Sequence, residues 1–83
     1  MKILYFAWLR QRTGIGEEEV APPPAVHDVA SLIEWLKERG PAFAEALDDT
    51  TAIRIAVNQE FATLDTKLDG NEEVALFPPM TGG

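Results

Sequence analysis

Asp28-Val29-Ala30-Ser31-Leu32-Ile33-Glu34-Trp35-Leu36-Lys37 is the stretch on which the fold turns. Asp28 is a strong N-cap residue, because its carboxylate can accept from the unpaired amides of a first helical turn. Val29, Leu32, Ile33 and Leu36 follow at i, i+3, i+4 and i+7, which is one apolar stripe on a helix. Trp35 flanks that stripe. Lys37 and Arg39 suit the negative end of the helix dipole, and Gly40-Pro41 stops the helix. His27, just before the cap, reads as a surface residue. Residues 41–47 add a short helical turn with Phe43 and Leu47 packed inward. One amphipathic helix has one face to bury, so it needs a sheet.

Strands lie on both sides of it. Residues 2–8 are apolar on both faces, with Ile3, Tyr5 and Ala7 on one and Leu4, Phe6 and Trp8 on the other. Such a run predicts a central strand. Thr13-Gly14-Ile15-Gly16 supplies turn residues, and residues 17–21 predict a second strand in a hairpin with the first. The Glu17-Glu18-Glu19 run reads as a solvated edge that discourages further pairing. Pro22-Pro23-Pro24 is a rigid crossover to the helix. Beyond the helix, Ala52-Ile53-Arg54-Ile55-Ala56-Val57 alternates cleanly, with Ile53, Ile55 and Val57 on one face. Asn58-Gln59-Glu60 predicts a hairpin turn, and residues 61–63 a short return strand. Asp69-Gly70 is another turn. Residues 74–77 form the last strand, with Val74 and Leu76 toward the core and Phe77 on the other side.

A strand pair, a crossing helix and further strands describe an α+β fold, a β-grasp with a mixed sheet. One helix covers one face of such a sheet. The other face then carries Phe6, Phe61 and Phe77, and exposed aromatics on a small domain predict a docking surface. The domain spans residues 1–77. Residues 78–83 form a tail.

That tail, Pro78-Pro79-Met80-Thr81-Gly82-Gly83, carries the chemistry. Pro78 and Pro79 fix φ and favour an extended backbone that holds the tail away from the body. Glycine lacks a Cβ, so Gly82 and Gly83 can thread a narrow channel in a partner and expose the terminal carboxylate there. Extended, the tail reaches roughly 20 Å. A terminal Gly-Gly arises by chance in about 0.5% of chains at average glycine usage. Here it directly follows a strand-like run.

Composition removes other readings. The 83 residues allow one small core. With 14 acidic and 7 basic residues the net charge is −7, which opposes nucleic-acid binding and favours basic protein partners. No apolar run approaches the ~20 residues of a membrane-spanning helix, so no membrane partner is expected and the protein reads as cytoplasmic. There is no cysteine and one histidine, which leaves no thiolate catalysis and no metal cluster. Any sulfur handled by this chain would sit on its C-terminus. The pairs Asp48-Asp49 and Glu72-Glu73 point apart along the chain and read as turn or solvated residues, not as an acid and its base.

Taken with Leu4-Tyr5-Phe6-Ala7 and Arg10, Ala56-Val57-Asn58-Gln59, and Asp69-Gly70 before Glu73-Val74-Ala75, the closing Phe77-Pro78-Pro79-Met80-Thr81-Gly82-Gly83 resembles the ubiquitin-like sulfur carriers. Among them it is most similar to the small subunits of molybdopterin synthase, whose F-P-P-x-T-G-G ending it matches at every fixed position. Trp8 and the triple proline depart from the pattern, away from the tail. The resemblance implies that an E1-like enzyme uses ATP to adenylate the Gly83 carboxylate, and that a sulfur donor protein converts it to a thiocarboxylate. It implies that Gly82 and Gly83 then enter a large synthase subunit, in a 2+2 heterotetramer, where the sulfur attacks cyclic pyranopterin monophosphate. No cofactor is expected on this chain itself. Phe6, Phe61, Phe77, Pro78, Pro79, Met80 and Thr81 would contact the partner. Two other readings share the tail: a carrier for thiamine or tRNA thiolation, and a ubiquitin-like modifier joined to lysines. A bare interaction domain with an inert tail is the reading from a different class.

Overall fold

Asp28 opens the principal helix as its residue type predicts. Its carboxylate accepts from the Ser31 amide at 2.8 Å, and Ser31 Oγ accepts in return from the Asp28 amide at 3.2 Å. This reciprocal capping box satisfies donors at both positions. The computed structural model describes residues 1–79. Its elements run β1 (Lys2–Tyr5), α1 (Ala7–Thr13), β2 (Glu17–Glu19), α2 (Val29–Lys37), α3 (Pro41–Ala46), a 3₁₀ turn (Thr50–Ala52), β3 (Arg54–Val57), β4 (Glu60–Ala62) and β5 (Glu73–Phe77).

The strands form one sheet in the order β2-β1-β5-β3-β4. β1 and β5 pair in parallel, and every other neighbour is antiparallel. The register places Tyr5, Leu76, Ile55 and Ala62 in one row across four strands. Ile3 and Val74 stand in the next row on the same side. Against this face α2 buries Val29, Leu32, Ile33 and Leu36. Leu9, Ala46, Leu47, Ile53 and Leu68 close the core. Asn58 and Gln59 make the β3–β4 turn with φ of 51° and 71°, a primed turn whose twist matches that of the paired strands.

The first strand is shorter than residues 2–8. It ends at Tyr5, and Ala7 reverses the chain at φ 54°, a value a non-glycine residue seldom adopts. A seven-residue helix, α1, follows. Trp8 and Leu9 therefore lie on a helix, Leu9 fully buried and packed with the core. Thr13 Oγ1 donates to the Leu9 carbonyl at 2.9 Å, and Gly14 at φ 82° ends the helix. β1 and β2 still pair antiparallel, joined by this helix in place of a tight turn. Tertiary burial of Leu9 overrides a run that reads as strand.

The glutamate run also divides. Glu17 and Glu19 are exposed, as an edge strand predicts. Glu18 faces the core side, and one of its oxygens accepts from the Tyr5 hydroxyl at 2.8 Å and from Arg39 at 2.5 Å. Arg39 lies over the Phe43 ring, 5.0 Å from its centroid, and Phe43 meets Tyr5 edge-on at 6.0 Å. This cluster ties the edge strand to the segment between α2 and α3. Burial, then the bond to Glu18, pushes the Tyr5 phenol far above its ordinary range.

Candidate functional site

The uncovered face of the sheet is built from the alternate residues of the same strands. The register aligns Glu17, Leu4, Ala75, Ala56 and Phe61 in one row across all five strands. The middle of this row is small and flat, because alanines stand where the covered face has Leu76 and Ile55. Its far end is Phe61, 84% exposed. The Phe77 ring lies 6.1 Å from the Phe61 ring. Phe6 follows Tyr5, the register partner of Leu76, at the end of β1. Its amide donates to the Leu76 carbonyl at 3.1 Å. Phe6 is 48% exposed. The structure thus brings Phe6, Phe61 and Phe77 onto one open face, with Pro78 and Pro79 leaving from its upper end, both half-buried. Met80, Thr81, Gly82 and Gly83 lie outside the described residues.

Leu4, Ala56 and Ala75 are part of this platform. Sequence reading put Leu4 on the outer face but singled out aromatics only. The alternation that placed Ile55 inward already placed Ala56 outward. Charge frames the platform. Lys2 reaches Glu17 at 3.3 Å at one edge. Arg54, register partner of Phe77, donates to the carbonyls of Thr51 and Ile53 at 3.3 Å each.

No group of three or more histidine, cysteine, aspartate or glutamate side chains among the described residues could hold a metal ion. His27 is exposed and bonded to the neighbouring Ala25 carbonyl, as a surface histidine. Asp48 is exposed and reaches Lys37, while Asp49 caps the 3₁₀ turn through the Thr51 amide. Glu72 accepts from the amides of Asp69 and Gly70 and so holds a turn. No helix among the described residues is long and apolar enough to cross a membrane.

A mixed five-stranded sheet grasping one principal helix, with an uncovered apolar face and a strand running directly into the tail, is the architecture of a ubiquitin-like β-grasp protein. The chain belongs to the ThiS family, whose model matches residues 3–83. A molybdopterin synthase sulfur carrier subunit of Escherichia coli (strain K12) is 36% identical over 83 residues, covering 100% of this chain and 99% of the relative. One of Haemophilus influenzae is 31% identical over 87 residues, covering 100% and 99%. Among solved structures, subunit 1 of a molybdopterin converting factor from Pyrococcus furiosus superposes with a TM-score of 0.77 at 32% identity, covering 95% of each chain. SAMP1 from Haloferax volcanii superposes at 0.80 with 26% identity, covering 100% of this chain and 98% of that one.

Proposed function

We propose that this chain is the sulfur-carrier subunit of a molybdopterin synthase. The observation that carries the reading is the end-to-end match to relatives bearing that name, by a chain that itself closes on Phe77-Pro78-Pro79-Met80-Thr81-Gly82-Gly83. The chemistry lies at Gly83. A carboxylate is a poor electrophile, so an E1-like enzyme spends ATP to form the acyl-adenylate and release pyrophosphate. A sulfur donor protein then delivers sulfur at the sulfide level to the acyl carbon, a thiol reductant freeing it where the donor holds a persulfide, AMP leaves, and a thiocarboxylate remains. Its sulfur attacks cyclic pyranopterin monophosphate inside the large subunit, and water then cleaves the acyl carbon–sulfur bond, leaving the sulfur on the pterin and a carboxylate on Gly83. A dithiolene needs two sulfurs, so two charged carriers act in turn and each must dissociate to be recharged.

The open face supports that cycle. An apolar platform with a flat alanine centre and aromatic rim buries well against a partner, and aromatic side chains are the usual anchors of such contacts. Phe6, Phe61 and Phe77 would grip the large subunit while Pro78, Pro79, Met80 and Thr81 lead Gly82 and Gly83 into its active site. Two carriers on a dimer of large subunits would make the 2+2 heterotetramer. Charging by an enzyme that consumes ATP supports a cytoplasmic place of work.

The test is reconstitution. The thiocarboxylate form, mixed with the large subunit and cyclic pyranopterin monophosphate, is expected to yield molybdopterin, and the carboxylate form to yield none. Equal product from both forms would defeat the proposal. A second reading, a ubiquitin-like modifier, is favoured by the likeness to SAMP1. It predicts a ladder of higher-mass lysine conjugates that disappears when Gly83 is deleted.

A further inference from the structure

Arg10 and Lys67 are the two of the seven lysines and arginines without a close partner among the described residues, and of the two Arg10 lies beside the open sheet face. Lys2, Arg12, Lys37 and Arg39 each lie within 4.0 Å of a carboxylate. Arg54 bonds to carbonyls of its own segment. Arg10 has neither kind of contact among the described residues. It lines an open depression of about 550 Å³ between α1 and the β1–β2 edge, shared with Leu4, Phe6, Gly16 and Glu17. Phe6 and Leu4 belong also to the open sheet face, so the depression continues the proposed docking platform. Glu17, the one carboxylate on its wall, is held by Lys2 at 3.3 Å.

The guanidinium is also seated. A Cβ added to Gly16 would meet Arg10 Nε at 3.1 Å and Cζ at 3.2 Å. The side chain therefore lies across Gly16, and a Cβ there would push the guanidinium off its seat by a few tenths of an ångström. Gly16 does not have the left-handed backbone that would itself demand glycine. A guanidinium seated on backbone, unpaired and beside an apolar rim presents a planar fork of donors. Carboxylates match that fork in a bidentate way, and a pre-seated donor loses little entropy on binding.

We propose that Arg10, seated on Gly16, is the anchor for an aspartate or glutamate side chain of the large subunit that docks on the open sheet face. This rests on the proposed carrier function. It gives the acidic chain one cationic contact next to its apolar platform, which sets the orientation of docking and rejects partners lacking that carboxylate.

The test measures binding of the full chain and its variants to the large subunit by calorimetry at low and moderate salt. Arg10→Ala is expected to weaken binding by about 30-fold, the scale of an interface hot spot, and to flatten its salt dependence. Arg10→Glu should weaken it further, and Arg10→Lys should restore part of the loss. Gly16→Ala should weaken binding in the parent but change nothing when Arg10 is already alanine, because its effect passes through the guanidinium. Circular dichroism of each variant should match the parent, since a flexible side-chain end can yield to the added methyl. Arg10 variants that bind within twofold of the parent, while Phe61→Ala and Phe77→Ala weaken binding, would overturn the anchor and leave the docking face standing. Unchanged binding in all of them would overturn both. Arg10 variants that lose only adenylation, with large-subunit binding intact, would overturn the assignment in favour of the activating enzyme.

Discussion

The two faces of this sheet are made by the same strands, residue by residue in alternation, and they differ in size rather than in polarity. On the covered face the row is Tyr5, Leu76, Ile55 and Ala62. On the open face the neighbouring row is Leu4, Ala75, Ala56 and Phe61. Large branched residues fill the centre of the first and meet α2. Small residues floor the centre of the second and put the bulk at its rim. A face that is to be covered permanently by its own chain needs volume in the middle. A face to be covered from outside and released again needs a flat seat with anchors around it. Hydrophobicity alone does not separate the two, because across β1, β5, β3 and β4 both rows are apolar and only the edge strand adds Glu17 to the open one.

Truncating the covered face should give the largest effect. Leu76 is fully buried, so Leu76→Ala is expected to cost about 2–5 kcal/mol in urea denaturation. A loss under about 1 kcal/mol would mean that this row is not the core. The open face should respond in the opposite way. Phe61→Ala should leave stability within about 0.5 kcal/mol of the parent, since the ring is mostly in solvent. The same change should weaken large-subunit binding by about 2 kcal/mol. Both effects in calorimetry and denaturation together would sharpen the contrast, and a destabilised but fully binding variant would break it.

The edge strand lies between these extremes. Glu18 belongs to the covered side, so Glu18→Ala should cost about 1–2 kcal/mol by releasing Tyr5 and Arg39, discounted for the partial exposure of the pair. Glu17→Ala, on the open side, should be close to neutral. Equal losses at the two positions would argue that the glutamates act only as a charged edge. The smallest effect concerns acid. Hydrogen bonds from Ser31, side chain first and then backbone, hold the Asp28 carboxyl below the ordinary carboxylate range. A depressed folded-state pKa gives stability that is complete above the unfolded value, about 3.9, and is lost as pH falls through the folded value. Asp28→Asn should therefore flatten the stability profile below about pH 4 and leave its shape at neutral pH unchanged. An identical acid limb in the variant would remove the cap from the account.

The principal helix and the last two hairpin strands were legible because independent signals agree there. Asp28, the apolar stripe and Gly40-Pro41 name a start, a face and a stop. Asn58-Gln59 sits between two alternating runs. The reciprocal role of Ser31 was not read, although a hydroxyl three residues after a cap is a known partner for it. α1 was not legible. Residues 2–8 are apolar on both faces, Phe6 makes no side-chain cap bond, and the reversal occurs at Ala7, whose type gives no warning of a positive φ. The split of the glutamate run was half-legible, since strand alternation sets Glu18 apart from Glu17 and Glu19, but not that Arg39 would arrive from a distant turn. Alternation and the single-helix argument placed Phe61 and Phe77 on the uncovered face, where the register and the contact between their rings also put them. Arg10 on Gly16 required the helix that the sequence concealed.

The measurement that bears most directly on the account is the intact mass of this chain after incubation with an E1-like activating enzyme, ATP and a sulfur donor. A gain equal to the exchange of one oxygen for one sulfur, lost when Gly83 is deleted, is the predicted result. No gain, with the enzyme shown to charge another carrier, would contradict a chain whose body docks and whose C-terminus carries the sulfur.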